Sequence, residues 1–160
     1  ELLIAAFQNK TIEEVNNEII KDIPIGKDRE RVVKTRINQR FFRSSILSSY
    51  NQQCCITGLS APQLLIASHI IPWSENKNER LNPRNGLCLN SLHDKAFDRG
   101  LLTITTDFKI KLSRYLLELK NDKSVIDYFL KYENQKIQLP DKFTPKLDFL
   151  EYHNQNIFIP

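Results

Sequence analysis

The fold is decided by residues 64–105, which have the sequence LLIASHIIPWSENKNERLNPRNGLCLNSLHDKAFDRGLLTIT. An apolar run rich in Leu and Ile ends at His69 and is stopped by Pro72. A short apolar run of this kind, lying between prolines, favours a buried strand, which we predict over 64–71. A polar loop follows before the chain becomes apolar again.

The second apolar run begins after Asn85-Gly86, a dipeptide that is a strong turn signal. It predicts a second strand over 86–90. The two strands are expected to form a hairpin with the polar loop between them.

A helix is predicted directly after the second strand. Ser91 is expected to cap it in a Ser-x-x-acid arrangement with Asp94, and Gly100 is well placed to end it. His93 and Phe97 share one face of this helix because they are four residues apart. With Phe97 anchored in the core, we expect His93 to lie near the end of the first strand.

These residues resemble the HNH nuclease motif, the ββα-metal finger, in the variant seen in bacterial restriction endonucleases. His69, Asn85 and His93 match its first His, its Asn and its second His, at intervals of 16 and 8 residues. The upstream sequence QRFFRSSILSSYNQQCCITG is similar to the segment before that finger, so the resemblance extends over 36–105. It implies an α+β single domain with a central ββα-metal finger, flanking helices and a small antiparallel hairpin.

The resemblance also implies a chemistry, the hydrolysis of phosphodiester bonds. His69 would be the general base, since a neutral imidazole with an ordinary pKa of ~6.5 can take a proton from water at physiological pH. His93 would hold the divalent cation, and Asn85 would fix the loop and orient His69 through its side-chain amide.

The cation site departs from the family pattern at one position. Many relatives carry Asp or His directly before the base, as a second ligand, whereas this chain has Ser68. His93 is then the expected ligand, with Asp98 or Asn90 as alternatives for the second. Mg²⁺ is the expected ion, with Mn²⁺ or Ni²⁺ as substitutes. No structural zinc is expected, since the chain lacks Cys-x-x-Cys pairs.

Positive charge is concentrated upstream of the finger. Residues 27–43 contain seven basic and two acidic side chains, while the whole chain has a net charge of only +4. Val33, Ile37 and Phe41 predict one apolar helical face here. Arginines beside that face and inside the finger are expected to bind DNA phosphates; they are Arg36, Arg40, Arg43, Arg84 and Arg99.

The 160 residues suit one domain. We expect an N-terminal helical extension over 1–26, with a capping box at 11–14, and an HNH nuclease domain over 27–160. The chain begins at Glu1 and contains no Met, so a further domain upstream is expected. No apolar stretch is long enough for a membrane span, and no signal peptide is visible.

Other segments are expected to support the finger. The three cysteines predict buried free thiols in a reducing compartment, the bacterial cytoplasm. His153 lies in a C-terminal tail for which we predict no chemistry. The remaining predicted elements are a hairpin over 101–105 and 109–112, short helices over 113–119 and 124–132, and an edge strand over 136–139.

The sequence therefore predicts a divalent-metal-dependent HNH endonuclease that cleaves double-stranded DNA, as the nuclease part of a restriction or defence enzyme. The resemblance also implies a homodimer, because the family usually cuts both strands by pairing two fingers. The alternatives are a non-catalytic DNA-binding module on the same scaffold, a toxin-like nuclease without sequence preference, and a protein-interaction domain whose basic helix is ordinary surface.

Overall fold

The computed structural model describes residues 37–160, and side chains from residue 39 onward. The capping box at 11–14, the boundary between 26 and 27, Val33 and Arg36 lie outside these residues. None of the helices in the described part is long and apolar enough to cross a membrane.

Helices and two small antiparallel sheets make up the described part, in agreement with the α+β prediction. Short 3₁₀ turns connect several of the elements. The helices and strands are α1 (Ile37–Ser49), β1 (Leu65–His69), β2 (Gly86–Asn90), α2 (Ser91–Asp98), β3 (Leu102–Ile104), β4 (Ile110–Leu112), α3 (Arg114–Glu118), α4 (Lys123–Tyr128) and α5 (Leu147–Asn156).

The predicted hairpin is formed by β1 and β2, which pair antiparallel. Their register places His69 opposite Gly86 at one end and Leu65 opposite Asn90 at the other. Because α2 starts directly after β2, its N-terminus lies at the Leu65 end of the hairpin. Asp94 of the first turn and Asp98 of the last turn nevertheless line a cavity with His69, as the expected approach of the first turn to the end of β1 requires.

α1 packs on this hairpin through a different face from the predicted one. Phe42 and Ile46 are buried, at 2% and 0% exposure, whereas Phe41 is 57% exposed. The prediction of a core face through Phe41 is wrong by one position. A side chain added at Gly86 would meet both Ile46 and Phe42, which shows how closely α1 lies against the start of β2.

The N-terminus of α2 is capped by Asn90, not by Ser91. The Asn90 side-chain oxygen accepts a hydrogen bond from the backbone N–H of His93, at 2.9 Å. Ser91 is the first helical residue, and its hydroxyl donates to the Leu64 carbonyl, at 3.0 Å. The helix ends at Asp98, and Gly100, the predicted stop, follows the C-cap Arg99 with a φ of +68°.

The C-terminal part contains one element that the sequence did not predict. The tail forms α5, which buries Phe149, Leu150 and His153 against the core. The predicted edge strand over 136–139 is reduced to a single bridge between Lys109 and Lys136. The three cysteines, Cys54, Cys55 and Cys88, are buried and form no disulfide.

Candidate active site

His69 ends β1, and its ring is held from three sides. Its Nε2 lies 2.9 Å from the Arg80 carbonyl oxygen. Since a carbonyl can only accept, Nε2 carries the hydrogen and Nδ1 keeps a lone pair. The ring stacks on Phe42 with centroids 3.9 Å apart, and Trp73 meets it edge-on at 5.5 Å. Nδ1 accepts no hydrogen bond from any residue in the described range.

The environment of His69 favours its neutral form. Burial lowers the pKa of the imidazole below 6.5, although the Arg80 carbonyl and the charge of Asp98 act in the opposite direction. The ring is therefore neutral at physiological pH. A neutral imidazole with an unengaged nitrogen is able to act as a general base.

His69 lines a cavity of about 410 Å³ together with Asp94 and Asp98 of α2. These two residues are one helical turn apart, so their carboxylates share the face of α2 that lies toward His69. Burial raises the pKa of both carboxyl groups. The charge of Asp98 raises the pKa of Asp94 further, while Lys95 lowers the pKa of each.

Ser68 also lines this cavity, directly before His69 in β1. Its side chain is 3% exposed, and its Oγ makes no hydrogen bond to a residue in the described part of the chain. The hydroxyl nevertheless lies near enough to Asp94 to counteract part of the rise in that carboxyl's pKa. The cavity is therefore polar on this side, with the Ser68 hydroxyl beside the Asp94 carboxyl group.

The structure does not bring His93 into the cavity of His69. The His93 ring is 1% exposed, and both of its nitrogens are occupied. Nδ1 accepts from the Asn90 side-chain amide at 2.8 Å, and Nε2 donates to the Tyr128 carbonyl at 2.7 Å. His93 borders a separate cavity of about 640 Å³. Adjacent helical residues point about 100° apart, so His93 and Asp94 cannot share a face.

Asn85 fixes the loop between the strands, in the manner that the sequence suggested. Its side-chain oxygen accepts from the Ile71 N–H at 2.8 Å. Its amide nitrogen donates to the carbonyls of Ile71 and Glu79, at 3.2 and 3.3 Å. Asn85 thus acts on His69 indirectly, by holding the residue before Arg80.

Comparisons with known proteins address the same segment. Residues 54–105 match the family model described as HNH endonuclease. This segment, which is less than half of the chain, is similar to the HNH endonuclease family. The match contains the hairpin, α2 and the whole of the His69 cavity.

A solved structure described as a modification-dependent TagI restriction endonuclease is similar to the chain, with 20% identity and a TM-score of 0.42. The alignment covers 70% of this chain and 35% of that one, so the chain spans about a third of that protein. No curated protein matches.

Within the HNH segment, Asn90 is no freer than His93 to bind a cation. Its oxygen caps α2, and its amide nitrogen also lies within 3.4 Å of the Thr57 hydroxyl. Among residues 37–160, no group of three or more His, Cys, Asp or Glu side chains is arranged to hold a metal ion.

The sequence analysis did not name Asp94 as a site residue. Its four-residue spacing from Asp98 was the available signal, since it places both side chains on one face of the helix.

The predicted DNA-binding arginines of the HNH endonuclease segment and of α1 differ in their surroundings. Arg43 donates to the backbone carbonyls of Leu65 and Pro62, at 2.7 and 2.9 Å. Its guanidinium thus ties α1 to β1, a structural role. Arg40, Arg84 and Arg99 are exposed, and so they remain able to contact phosphates.

Proposed function

We propose that this chain is a divalent-cation-dependent endonuclease that hydrolyses phosphodiester bonds in double-stranded DNA, with His69 as the general base. The observation that supports this most directly is the His69 ring, which has one nitrogen committed to the Arg80 carbonyl and the other unengaged. The ring lies in a cavity with two carboxylates, inside the segment that matches the HNH endonuclease family.

The proposed cation ligands are Asp94 and Asp98, in place of His93. Two carboxylates on one face, Asp94 half-buried and Asp98 exposed, fit a cation, because a cation would relieve the repulsion that helps to raise the pKa of Asp94. Mg²⁺, or Mn²⁺ or Ni²⁺ in its place, accepts a shell of few protein oxygens completed by water. When bound, it supplies positive charge against the phosphate and the departing oxygen.

The chain's own residues supply the proton transfer. The Nδ1 lone pair of His69 takes a proton from a water molecule, whose oxygen attacks the phosphorus in line. The 3′ oxygen leaves, so the product carries a 5′ phosphate. Arg84 and Arg99 lie on the exposed part of the same segment, where they would position the DNA backbone without reading its sequence.

Supercoiled plasmid incubated with Mg²⁺ or Mn²⁺ tests the proposal. We expect the chain to nick or linearise it and His69→Gln to be slower by a factor on the order of 10² or more, since a general base contributes about that much. Gln155→Ala, at an exposed position on α5, controls for the preparation. Wild-type chain that binds the plasmid in a salt-dependent way, yet leaves it intact with either ion, would favour the non-catalytic DNA-binding module.

The form of the products tests the finer parts of the proposal. A restriction enzyme gives discrete fragments from a set of mixed plasmids, whereas a toxin-like nuclease gives a smear. Light scattering of the chain on a DNA duplex tests the homodimer, for which two copies per duplex are expected.

A further inference from the structure

The carbonyl that fixes the His69 tautomer belongs to the loop 70–85, and the loop has few other elements to hold it. Residues 77–79 and 83–85 each form a 3₁₀ turn, and the Asn85 side-chain amide donates to the Glu79 carbonyl. The Glu79 side chain also pairs with Lys146, at 3.8 Å. Each of these contacts acts on the residue before Arg80, and none of them sets the direction of the Arg80 carbonyl itself.

The Arg80 side chain folds back across the same loop. Its Nε donates to the Trp73 carbonyl at 2.6 Å, and its guanidinium carbon lies 5.0 Å from the centre of the Trp73 ring. The Trp73 ring in turn meets the edge of the His69 ring. The contacts therefore form a closed cycle: His69 to Trp73, Trp73 to the Arg80 guanidinium, and the Arg80 carbonyl back to His69 Nε2.

We propose that Arg80 and Trp73 are positioning residues for His69, and that their side-chain clamp keeps the Arg80 carbonyl on Nε2 and thereby keeps Nδ1 as the basic nitrogen. The inference rests on the proposed role of His69 as base. In this proposal the Arg80 side chain positions the base through contacts within the protein, and does not bind phosphate directly.

The clamp requires arginine in particular. A guanidinium is planar, so it can lie over the indole and donate from Nε at the same time. The ammonium of a lysine is a point donor at the end of a flexible stem and has no counterpart of Nε. The cation–π contact and the charge-assisted hydrogen bond hold the Arg80 side chain together, and so they favour one direction of the Arg80 carbonyl.

The experiment measures the tautomer directly. The ring ¹⁵N chemical shifts of His69, in chain labelled on histidine and held at a pH where the ring is neutral, distinguish Nε2–H from Nδ1–H. We expect Nε2–H in the wild type, and a substantial Nδ1–H population in both Arg80→Ala and Trp73→Ala. Arg80→Lys retains the charge and should also show the Nδ1–H form. Arg84→Ala, which removes a neighbouring exposed charge, should keep the wild-type shifts.

Cleavage kinetics give a second readout. If Arg80 positions the base, Arg80→Ala lowers kcat by about tenfold with little change in KM, since part of the general-base contribution is lost. If Arg80 contacts phosphate, KM rises, the salt dependence of binding becomes less steep and the His69 tautomer stays unchanged. That second set of results would overturn the inference, as would wild-type ¹⁵N shifts in both alanine variants.

The two proposals fail in different ways. The tautomer is measured without DNA or cation, so a chain that shows no cleavage but loses the Nε2–H form in Arg80→Ala contradicts the proposed function alone. If Arg80→Ala does not fold, Trp73→Ala and Arg80→Lys carry the same comparison, with the amide spectrum of each variant reporting the fold.

Discussion

On one helical turn of α2, His93 and Asp94 are neighbours with opposite surroundings. The His93 ring is enclosed by Asn90, the Tyr128 carbonyl and the edges of Phe129 and Tyr132. The Asp94 carboxylate faces the cavity of His69. A histidine with both nitrogens satisfied contributes to stability, whereas a carboxylate whose pKa is raised by burial and by a like charge is suited to binding a cation.

Because their surroundings differ, substitutions of the two aspartates and of His93 should have different effects. We expect Asp94→Asn and Asp98→Asn each to weaken Mn²⁺ binding by roughly tenfold or more, because the charge of the ligands sets the affinity of such a site. His93→Gln should keep the Mn²⁺ affinity and lower the free energy of unfolding by about 2 kcal/mol, since the packing of the buried ring and its hydrogen bond to the Tyr128 carbonyl would be lost.

Titration calorimetry with Mn²⁺ and urea unfolding of the same preparations measure the two effects. Gln155→Ala serves as the matched surface control in both. Should His93→Gln abolish Mn²⁺ binding in a folded chain while Asp98→Asn retains it, the ligand assignment would return to His93.

At the scale of the element, the position of α1 on the hairpin determines where His69 lies. Phe42 of α1 stacks on the His69 ring, and Gly86 of β2, the strand partner of His69, leaves room for Ile46 and Phe42. The residue that brings α1 close is therefore a glycine. Glycine is needed at position 86 because it has no Cβ. Its backbone conformation does not require glycine, since a φ of −141° is open to any residue.

Gly86→Ala should lower the free energy of unfolding by about 1–3 kcal/mol, since the new methyl group would overlap Ile46 and Phe42 in a packed core. Urea denaturation followed by far-UV circular dichroism measures the change. In a Gly86→Ala/Ile46→Val double variant, the smaller neighbour should recover part of the loss, so that the two effects are not additive. Strictly additive effects would show that the two residues do not compete for the same space.

The sequence predicted the elements around the Asn85-Gly86 turn because their signals are local. β2 is observed at 86–90 as predicted, and α2 stops just before Gly100, where glycine takes a positive φ. The face of α1 was not predictable in the same way. Phe41 and Phe42 are adjacent, and an apolar helical face can be drawn through either of them. Which one is buried depends on how α1 packs on the hairpin.

The roles of the site residues stay predictions. His69 and Asn85 were named because they match the HNH motif, and the structure places His69 at the end of β1 and Asn85 directly before β2. The cavity side of α2, by contrast, depends on how the helix lies along the hairpin, and no residue spacing gives that. The same limit applies to α5, where Leu150 and His153 are buried only because the tail returns to the core beside Phe97.

For the whole molecule, the stability depends on pH through buried groups with shifted pKa values. His153 stacks on Phe97 at 3.6 Å, and its Nδ1 lies 2.7 Å from the Thr103 hydroxyl. Burial lowers the pKa of His153 to about 4, although the Phe97 carbonyl acts against this. His69 is shifted in the same direction, and the carboxyl groups of Asp94 and Asp98 are shifted upward.

The direction in which His153 makes the stability depend on pH follows from proton uptake by the folded and unfolded chains. Between about pH 6.5 and pH 4 the unfolded chain binds a proton at this residue and the folded chain does not, so the free energy of unfolding decreases as the pH falls through this range. The full loss is about 3 kcal/mol, at ~1.4 kcal/mol for each pH unit of the shift. Asp94 and Asp98 act in the opposite sense, because their raised pKa values make the folded chain take up protons before the unfolded chain does.

Urea unfolding at several pH values between 7.5 and 4.5, monitored by Trp73 fluorescence, measures this dependence. Comparing His69→Gln with His69→Gln/His153→Gln isolates the contribution of His153, since the other histidine with a lowered pKa is absent from both. We expect the single variant to lose stability steeply below about pH 6 and the double variant to lose much less, even if it is less stable at pH 7.5. Equal slopes in the two variants would mean that His153 can be protonated inside the folded protein, which would contradict its burial between Phe97 and Thr103.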